Sequence, residues 1–324
     1  MTHEMSEERI TVHIICAMLD GGPFVVEFLR SVQAQTHRAW RLWVRDDGST
    51  DGSVGVVQEL ARDDDRITLL HIGGPKLGAA GAFGWLLERV PTDAAYVMCG
   101  DADDVWLPEK IELEMETMRA AERLSPGPVL VHTDLVVADA ELSVIHPSFW
   151  RYSRIEPEPV SLRRIAIQNV TTGSTIMLNR ELCELIGQTP PGARFQDWWY
   201  TLVAVAFGRV VALHEATVLY RQHGHNVVGA RRRSDLTLAD APREIMSALS
   251  RTARLRDDLA FSCRQAEAFL SRYGDALDDG DRRFLESYSR IPTRGFVRRK
   301  FDVLRLRLLR GDGLLRNLGV LLRA

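Results

Sequence analysis

Three carboxylates crowd into four consecutive positions at Asp101-Ala102-Asp103-Asp104. Like charges at one strand end repel, and burying them is costly unless a cation or hydrogen bonds offset the repulsion. Mg2+ or Mn2+ fits that need, since both prefer carboxylate oxygens together with substrate phosphates. The competing reading is an exposed acidic turn capping a helix that starts at Leu107-Pro108, with Asp104 near the N-cap and Pro108 in the first turn. A second acidic segment, Asp46-Asp47-Gly48-Ser49-Thr50-Asp51-Gly52, places Asp47, Ser49, Asp51 and Gly52 at positions one, three, five and six of a calcium loop. Position twelve is Gln58, which lacks the bidentate carboxylate, and a strand precedes the segment, so an EF-hand is excluded. Either the turn presents Asp46 or Asp47 to a nucleotide base or ribose, or it is a solvated left-handed turn.

Asp197 stands in Phe195-Gln196-Asp197-Trp198-Trp199-Tyr200 at a predicted helix start. It is either an N-cap, a role that Asp favours, or a general base tuned by its aromatic surroundings. Trp198 and Trp199 suit stacking on sugar faces and suit a core equally well. His223 and His225 lie in Tyr220-Arg221-Gln222-His223-Gly224-His225-Asn226, after a predicted strand. Their spacing fits a metal ligand as well as an ordinary surface pair. Gly73-Gly74-Pro75-Lys76-Leu77-Gly78, with Gly81 and Gly84, matches neither the dinucleotide fingerprint nor a phosphate-binding P-loop, and loop-to-helix packing is expected there.

Alternating elements must position these groups. Residues 10–17 read as a strand, Pro23–Gln35 as a helix, Trp40–Val44 as a strand and Ser53–Arg62 as a helix. Ile67–Ile72 is extended, Ala79–Arg89 helical, and Ala95–Cys99 a strand halted at Gly100. This rhythm predicts βαβ units on a mixed, mainly parallel sheet. Ligands of open α/β sheets sit beyond the carboxyl ends of the strands, so both acidic segments belong on one edge. Further short strands are expected at Val129–His132, Leu135–Val137, Thr175–Leu178, Val210–Leu213 and Thr217–Tyr220, with a helix at Gln196–Phe207. From Leu236 to Tyr273 the pattern is helical, which divides the chain into an α/β domain, 1–231, and a helical region, 232–324.

Of the 324 residues 45% are hydrophobic and 26% charged, which excludes a disordered or low-complexity chain. The net charge of −3 argues against a nucleic-acid partner. That charge is uneven: residues 290–324 hold ten basic and two acidic residues, a local +8 against −11 for the rest. Phe296–Leu309 interleaves apolar and basic side chains, as an interfacial amphipathic helix on an anionic membrane surface does. A helix packed on the protein, or a dimer contact, reads the same way. Cys16, Cys99, Cys183 and Cys263 are scattered, the first residues lack signal-peptide character and no 18-residue apolar run occurs. A soluble or peripherally attached protein of the reducing cytosol is the expectation.

Taken in order, these segments over residues 10–231 resemble family 2 glycosyltransferases with the GT-A fold. The pieces that carry the likeness are Asp20-Gly21-Gly22, Ser31–Thr36, Asp46–Gly52, Gly100–Trp106 with Pro108 and Lys110, His132-Thr133-Asp134, Thr172–Thr175, Gln196–Trp199 and Tyr220–Asn226. The tyrosine-led ending and the Asp101–Trp106 motif are most similar to a rhamnosyltransferase-like branch that builds bacterial surface polysaccharides. Two departures are Met18-Leu19-Asp20-Gly21, where that branch has Thr-x-Asn-Gly, and Ala102, where it has Gln. The resemblance implies an inverting, metal-dependent transferase, with a dTDP- or UDP-linked sugar such as L-rhamnose as donor and a glycan or glycolipid as acceptor. It assigns Asp46, Asp47 and Asp101 to the donor, Asp103 and His223 to Mn2+ or Mg2+, Asp197 to the catalytic base, and Trp198 and Trp199 to the acceptor. The rival expectations are a nucleotidyltransferase and an inactive scaffold subunit of a polysaccharide-assembly complex.

Overall fold

The computed structural model describes residues 10–71, 75–158, 160–224 and 252–295. The chain divides into two compact units. One comprises Met1–Pro159, Thr171–Thr189 and Phe195–Arg231; the other comprises Val160–Val170, Pro190–Arg194 and Arg232–Ala324. His225, the start of the expected C-terminal helical pattern and most of the basic tail lie outside the described residues.

The first unit opens with β1 (Val12–Met18), α1 (Phe24–Gln33), β2 (Trp40–Asp46), α2 (Ser53–Asp63), β3 (Ile67–His71), α3 (Gly78–Leu87) and β4 (Tyr96–Asp101). It continues through β5 (Val105–Trp106), α4 (Lys110–Leu124), β6 (Val129–Ala138), β7 (Val144–His146) and α5 (Phe149–Ser153). After α6 (Leu162–Ile167), which belongs to the second unit, come β8 (Ile176–Asn179), α7 (Arg180–Ile186), α8 (Gln196–Phe207) and β9 (Arg209–Arg221). The strands form one mixed sheet in the order β3-β2-β1-β4-β8-β6-β9-β5, with β7 on β6. β3, β2, β1 and β4 run parallel, and β8 then reverses against both β4 and β6.

Alternation along these strands builds the layers. Val12, Ile14, Cys16 and Met18 pack in one cluster with Val25 and Phe28 of α1 and with Ile111, Met115 and Met118 of α4. The intervening Ile15, Val97 and Cys99 are equally buried, on the side where α3 meets β1. Register fixes the functional edge: Met18 pairs with Asp46 and Ala17 with Asp101, so the ends of β1, β2 and β4 come level. The strand order reverses between β1 and β4, the point at which such sheets take ligands.

Three expectations are corrected. The two short strands predicted around residue 133 are one strand, β6, and those around residue 215 are one strand, β9. Their shared ladder shifts register at Thr133, Asp134 and Leu135, so polar residues that resemble a turn are absorbed by bulges. The acidic cluster does not cap a helix: α4 begins at Lys110 after Glu109, and Val105-Trp106 pairs with β9 instead. Asp104 is fully buried.

β6 also buries His132 completely, 5.4 Å from the Trp150 ring. Neither ring nitrogen has a hydrogen-bond partner among the described residues. Burial, with a smaller contribution from His214, pushes this imidazole down to about 3 from 6.5. The folded protein therefore holds it neutral where the unfolded chain takes a proton. Its contribution to stability is complete above pH ~6.5 and is lost as pH falls towards the folded value, by up to about 1.4 kcal/mol per pH unit. His132→Leu, which has no proton to take up, is expected to flatten the fall in melting temperature between about pH 6.5 and 4. An unchanged acid limb would show that other groups control it.

The second unit packs α6 with α9 (Thr252–Tyr273) and α10 (Asp279–Ser289). Its interior holds Cys263, Ala266, Phe269, Phe284, Leu285 and Tyr288. The Ser262 hydroxyl meets the Tyr288 hydroxyl at 2.7 Å, and Arg194 pairs with Asp258. Among the described residues no helix is long and apolar enough to cross a membrane.

Candidate functional site

The carboxyl edge of β1, β2 and β4 carries the acidic residues, yet it uses them unequally. Asp46 ends β2 and folds back on its own turn, accepting from the Gly48 and Ser49 amides at 3.1 Å. Asp47 accepts from the Leu77 and Gly78 amides at 2.9 and 2.8 Å, where α3 begins, and pairs with the buried Arg45 at 3.2 Å. Both side chains are buried. Their carboxylates tie turns together, and Leu77 and Gly78 of the glycine-rich segment join the loop to the start of α3 here. The neighbouring loop is laced to the same turn. Asp20, in the left-handed region at φ 48°, accepts from the Thr50 amide at 2.7 Å, and Asp51 accepts from the Gly22 amide at 2.7 Å.

Asp101 is the last residue of β4. Burial raises its carboxyl to about 7, and the charges of Asp103 and Asp197 push in the same direction. Asp197 of α8, far away in sequence, is therefore near enough for its charge to be felt at Asp101. Gly173 makes this closeness available. A side chain there would press to 2.9 Å from the Gln196 amide and stand 3.7 Å from the Asp101 carboxylate. The strand itself needs Gly100, where a Cβ would sit 2.6 Å from the Phe28 ring.

Asp103 and His223 meet across 120 positions of sequence, Nε2 to Oδ2 at 3.0 Å. Phe24 of α1 lies against the imidazole, ring centroids 4.9 Å apart. Asp104 points inward and accepts the Arg221 amide at 3.1 Å. Burial, then Asp103 and Asp101, raises its carboxyl well above the usual range, while Ser174 and the Arg221 amide lower it. Behind the loop, Lys110 and Glu114 form a wholly buried ion pair on α4, and Lys110 reaches the Thr217 hydroxyl at 3.4 Å.

Asp101 and Asp104, each raised by burial and by neighbouring carboxylates at a strand end, mark the electrostatic environment a divalent cation relieves. Among the described residues no three His, Cys, Asp or Glu side chains converge to hold an ion unaided. Asp103 and His223 supply an oxygen and a nitrogen, which fits an ion that completes its shell with substrate phosphates.

The tryptophans behave otherwise. Trp199 has no exposed surface and Trp198 is 9% exposed. Trp199 therefore presents no face to an acceptor, and the stacking expectation is withdrawn for it: at this point of α8 the ring faces inward as core. The Arg221 contacts and the Lys110–Glu114 pair received no role from the sequence. Their signals, a charged strand end and an i,i+4 pair on a helix, ordinarily mark solvated surface.

Residues 13–183 match the family model described as glycosyl transferase family 2. TuaG of Bacillus subtilis (strain 168), whose name places it in teichuronic acid biosynthesis, is 31% identical over 114 residues. That match spans 35% of this chain and 44% of the relative, less than half its length. The fold is similar to that of S. aureus TarS 1-349 in complex with UDP-GlcNAc, with a TM-score of 0.56 and 12% identity, covering 96% of this chain and 78% of that one. It is also similar to GalNAc-T7 with UDP, GalNAc and Mn2+, with a TM-score of 0.53 and 12% identity over 77% of this chain and 51% of that one. The family match takes in more than half of the chain, includes the acidic loop and the whole parallel half of the sheet, and agrees with the GT-A architecture: this chain belongs to glycosyl transferase family 2.

Proposed function

We propose that the chain is an inverting glycosyltransferase that moves a sugar from a nucleoside-diphosphate donor to a hydroxyl of a growing surface polysaccharide. The observation that carries this reading is the Asp103–His223 pair beside Asp101 at the end of β4, where the Asp101 carboxyl also feels the charge of Asp197. The name of TuaG supports a cell-wall polysaccharide as the product class. The UDP-GlcNAc of the TarS complex supports a nucleotide-sugar donor, and the Mn2+ of the GalNAc-T7 complex supports a divalent ion. In this chain Asp103 and His223 would hold Mn2+ or Mg2+, and the bound ion supplies charge stabilisation for the departing diphosphate.

The protein's own residues do the rest. Asp197 accepts the proton of the acceptor hydroxyl as its oxygen attacks the anomeric carbon. The bond from that carbon to the diphosphate oxygen breaks, and its electron pair leaves on the diphosphate. One displacement inverts the anomeric centre, and a single base suits it better than the paired carboxylates of glycoside hydrolysis. Asp101 borders the donor at the β4 end. Asp46 and Asp47 contribute by holding the β2 turn and the start of α3 in place beside it. The donor is dTDP- or UDP-linked, with L-rhamnose the sugar that the motif pattern favours, and the acceptor is lipid-linked. The protein works at the inner face of the plasma membrane, with residues 290–324 as its contact to anionic lipid.

Incubating the full-length chain with a panel of UDP- and dTDP-sugars and Mn2+ should release the nucleoside diphosphate from one donor class, slowly without acceptor. Release from none of them, with or without lipid-linked acceptor, would remove the transferase reading. Turnover of a nucleoside triphosphate instead would point to a nucleotidyltransferase.

A further inference from the structure

Arg221 closes β9 with 2% of its surface exposed, and a buried guanidinium is costly unless its donors are matched. Here they are matched, by three separate parts of the first unit. Nε donates to the Asp103 carbonyl at 2.9 Å. One terminal nitrogen donates to the Ala140 carbonyl beyond β6, and the other to the Glu27 carboxylate on α1. The guanidinium carbon also lies 4.5 Å from the centre of the Phe24 ring. Phe24 and Glu27 are one helical turn apart, so a single stripe of α1 grips this arginine. The same Phe24 ring bears on the His223 imidazole.

Arg221 thus touches the Asp103 half of the Asp103–His223 pair directly and reaches the His223 half through the Phe24 ring. It fixes the main chain of Asp103 directly, and it packs on the same Phe24 ring that bears on the His223 imidazole. Its own amide holds Asp104, which anchors the next residue of the loop. A planar fork reaches three acceptors in diverging directions; a lysine ammonium has no such reach.

We propose that Arg221 is the positioning residue of this pair. With Glu27 and Phe24 it sets the separation of the Asp103 carboxylate and the His223 ring before ion and donor arrive. This inference rests on the reading of Asp103 and His223 as cation ligands. Outer contacts of this kind typically carry 10–100-fold of metal affinity. The role is distinct from bulk stabilisation, because it predicts altered ion binding in variants that remain folded.

The experiment titrates Mn2+, alone and with UDP, into full-length wild type, Asp103→Ala, Arg221→Lys and Glu27→Ala, following free Mn2+ by its electron paramagnetic resonance signal. Melting temperatures are recorded in parallel. The Glu27 side chain is 48% exposed, so its truncation spares the core. Arg221→Lys is expected to weaken Mn2+ binding by about 10–100-fold and Glu27→Ala by somewhat less, with folding retained in the latter. Donor KM should rise in both and recover as Mn2+ is raised, which a purely structural loss would not produce. If Arg221→Lys fails to fold, the Glu27→Ala titration decides alone. Wild-type affinity in folded Glu27→Ala, while Asp103→Ala binds no ion, overturns the positioning role and leaves the ligand pair standing. Absence of Mn2+ binding by the wild type overturns both.

Discussion

Asp197→Asn should lower turnover by about 10³-fold while leaving donor affinity close to that of the wild type. Asparagine preserves the size of the side chain at the start of α8 but cannot take up the acceptor proton. The substitution also removes one of the two charges that raise Asp101, so the Asp101 carboxyl should titrate below its present value of about 7. Asp101 would then be more fully ionised at neutral pH, and nothing on the donor side is lost. The split is therefore sharp: kcat falls and KM does not rise. Steady-state kinetics with the active donor, together with the carboxyl titration of Asp101, checks both halves. Turnover within a factor of about ten of wild type would remove Asp197 as the base.

Asp103→Ala should abolish the divalent-ion dependence of the reaction, with a loss of about 10²–10³-fold in kcat/KM that added Mn2+ does not restore. The variant leaves His223 against Phe24 with its carboxylate partner gone. It should not cost the apo protein stability. Asp103 is the largest charged contributor to the raised carboxyls of both Asp101 and Asp104, so its removal relieves repulsion inside the fold. Equal or higher melting temperature combined with lost turnover separates a ligand from a structural residue. A lower melting temperature with activity that responds normally to Mn2+ would contradict the assignment.

The parallel half of the sheet was legible because its signals are local. Apolar runs end at Asp46 and at Gly100-Asp101, and the spacing of helix and strand forces those ends onto one edge. The ladder of β6 with β9 was not. Thr133 and Asp134 read as a break, but the Thr133 hydroxyl meets that of Thr217 at 2.6 Å inside the protein, and Asp134 accepts from the Trp150 amide. Such pairing across 84 positions leaves no trace in periodicity. Asp103 and His223 came from a motif resemblance, and the fold brings their side chains within hydrogen-bond distance. The motif could not show how much of the acidic inventory is spent on architecture. Asp47 was expected at the donor, and its carboxylate is occupied by the α3 amides and Arg45. Lys110 and Glu114 look like a solvated helix pair and are wholly buried. Arg221 and Glu27 lie 194 residues apart, and only the folded chain makes them one device.

The proposed nucleoside-diphosphate site at the end of β4 is one that a divalent ion completes. Calorimetric titration of UDP and dTDP into the wild type and Asp103→Ala, each with and without Mn2+, tests it most directly. One of the two nucleotides is expected to bind the wild type tightly only when Mn2+ is present, and Asp103→Ala to lose this enhancement. Equal affinity with and without the ion, or the same enhancement in Asp103→Ala, would contradict it.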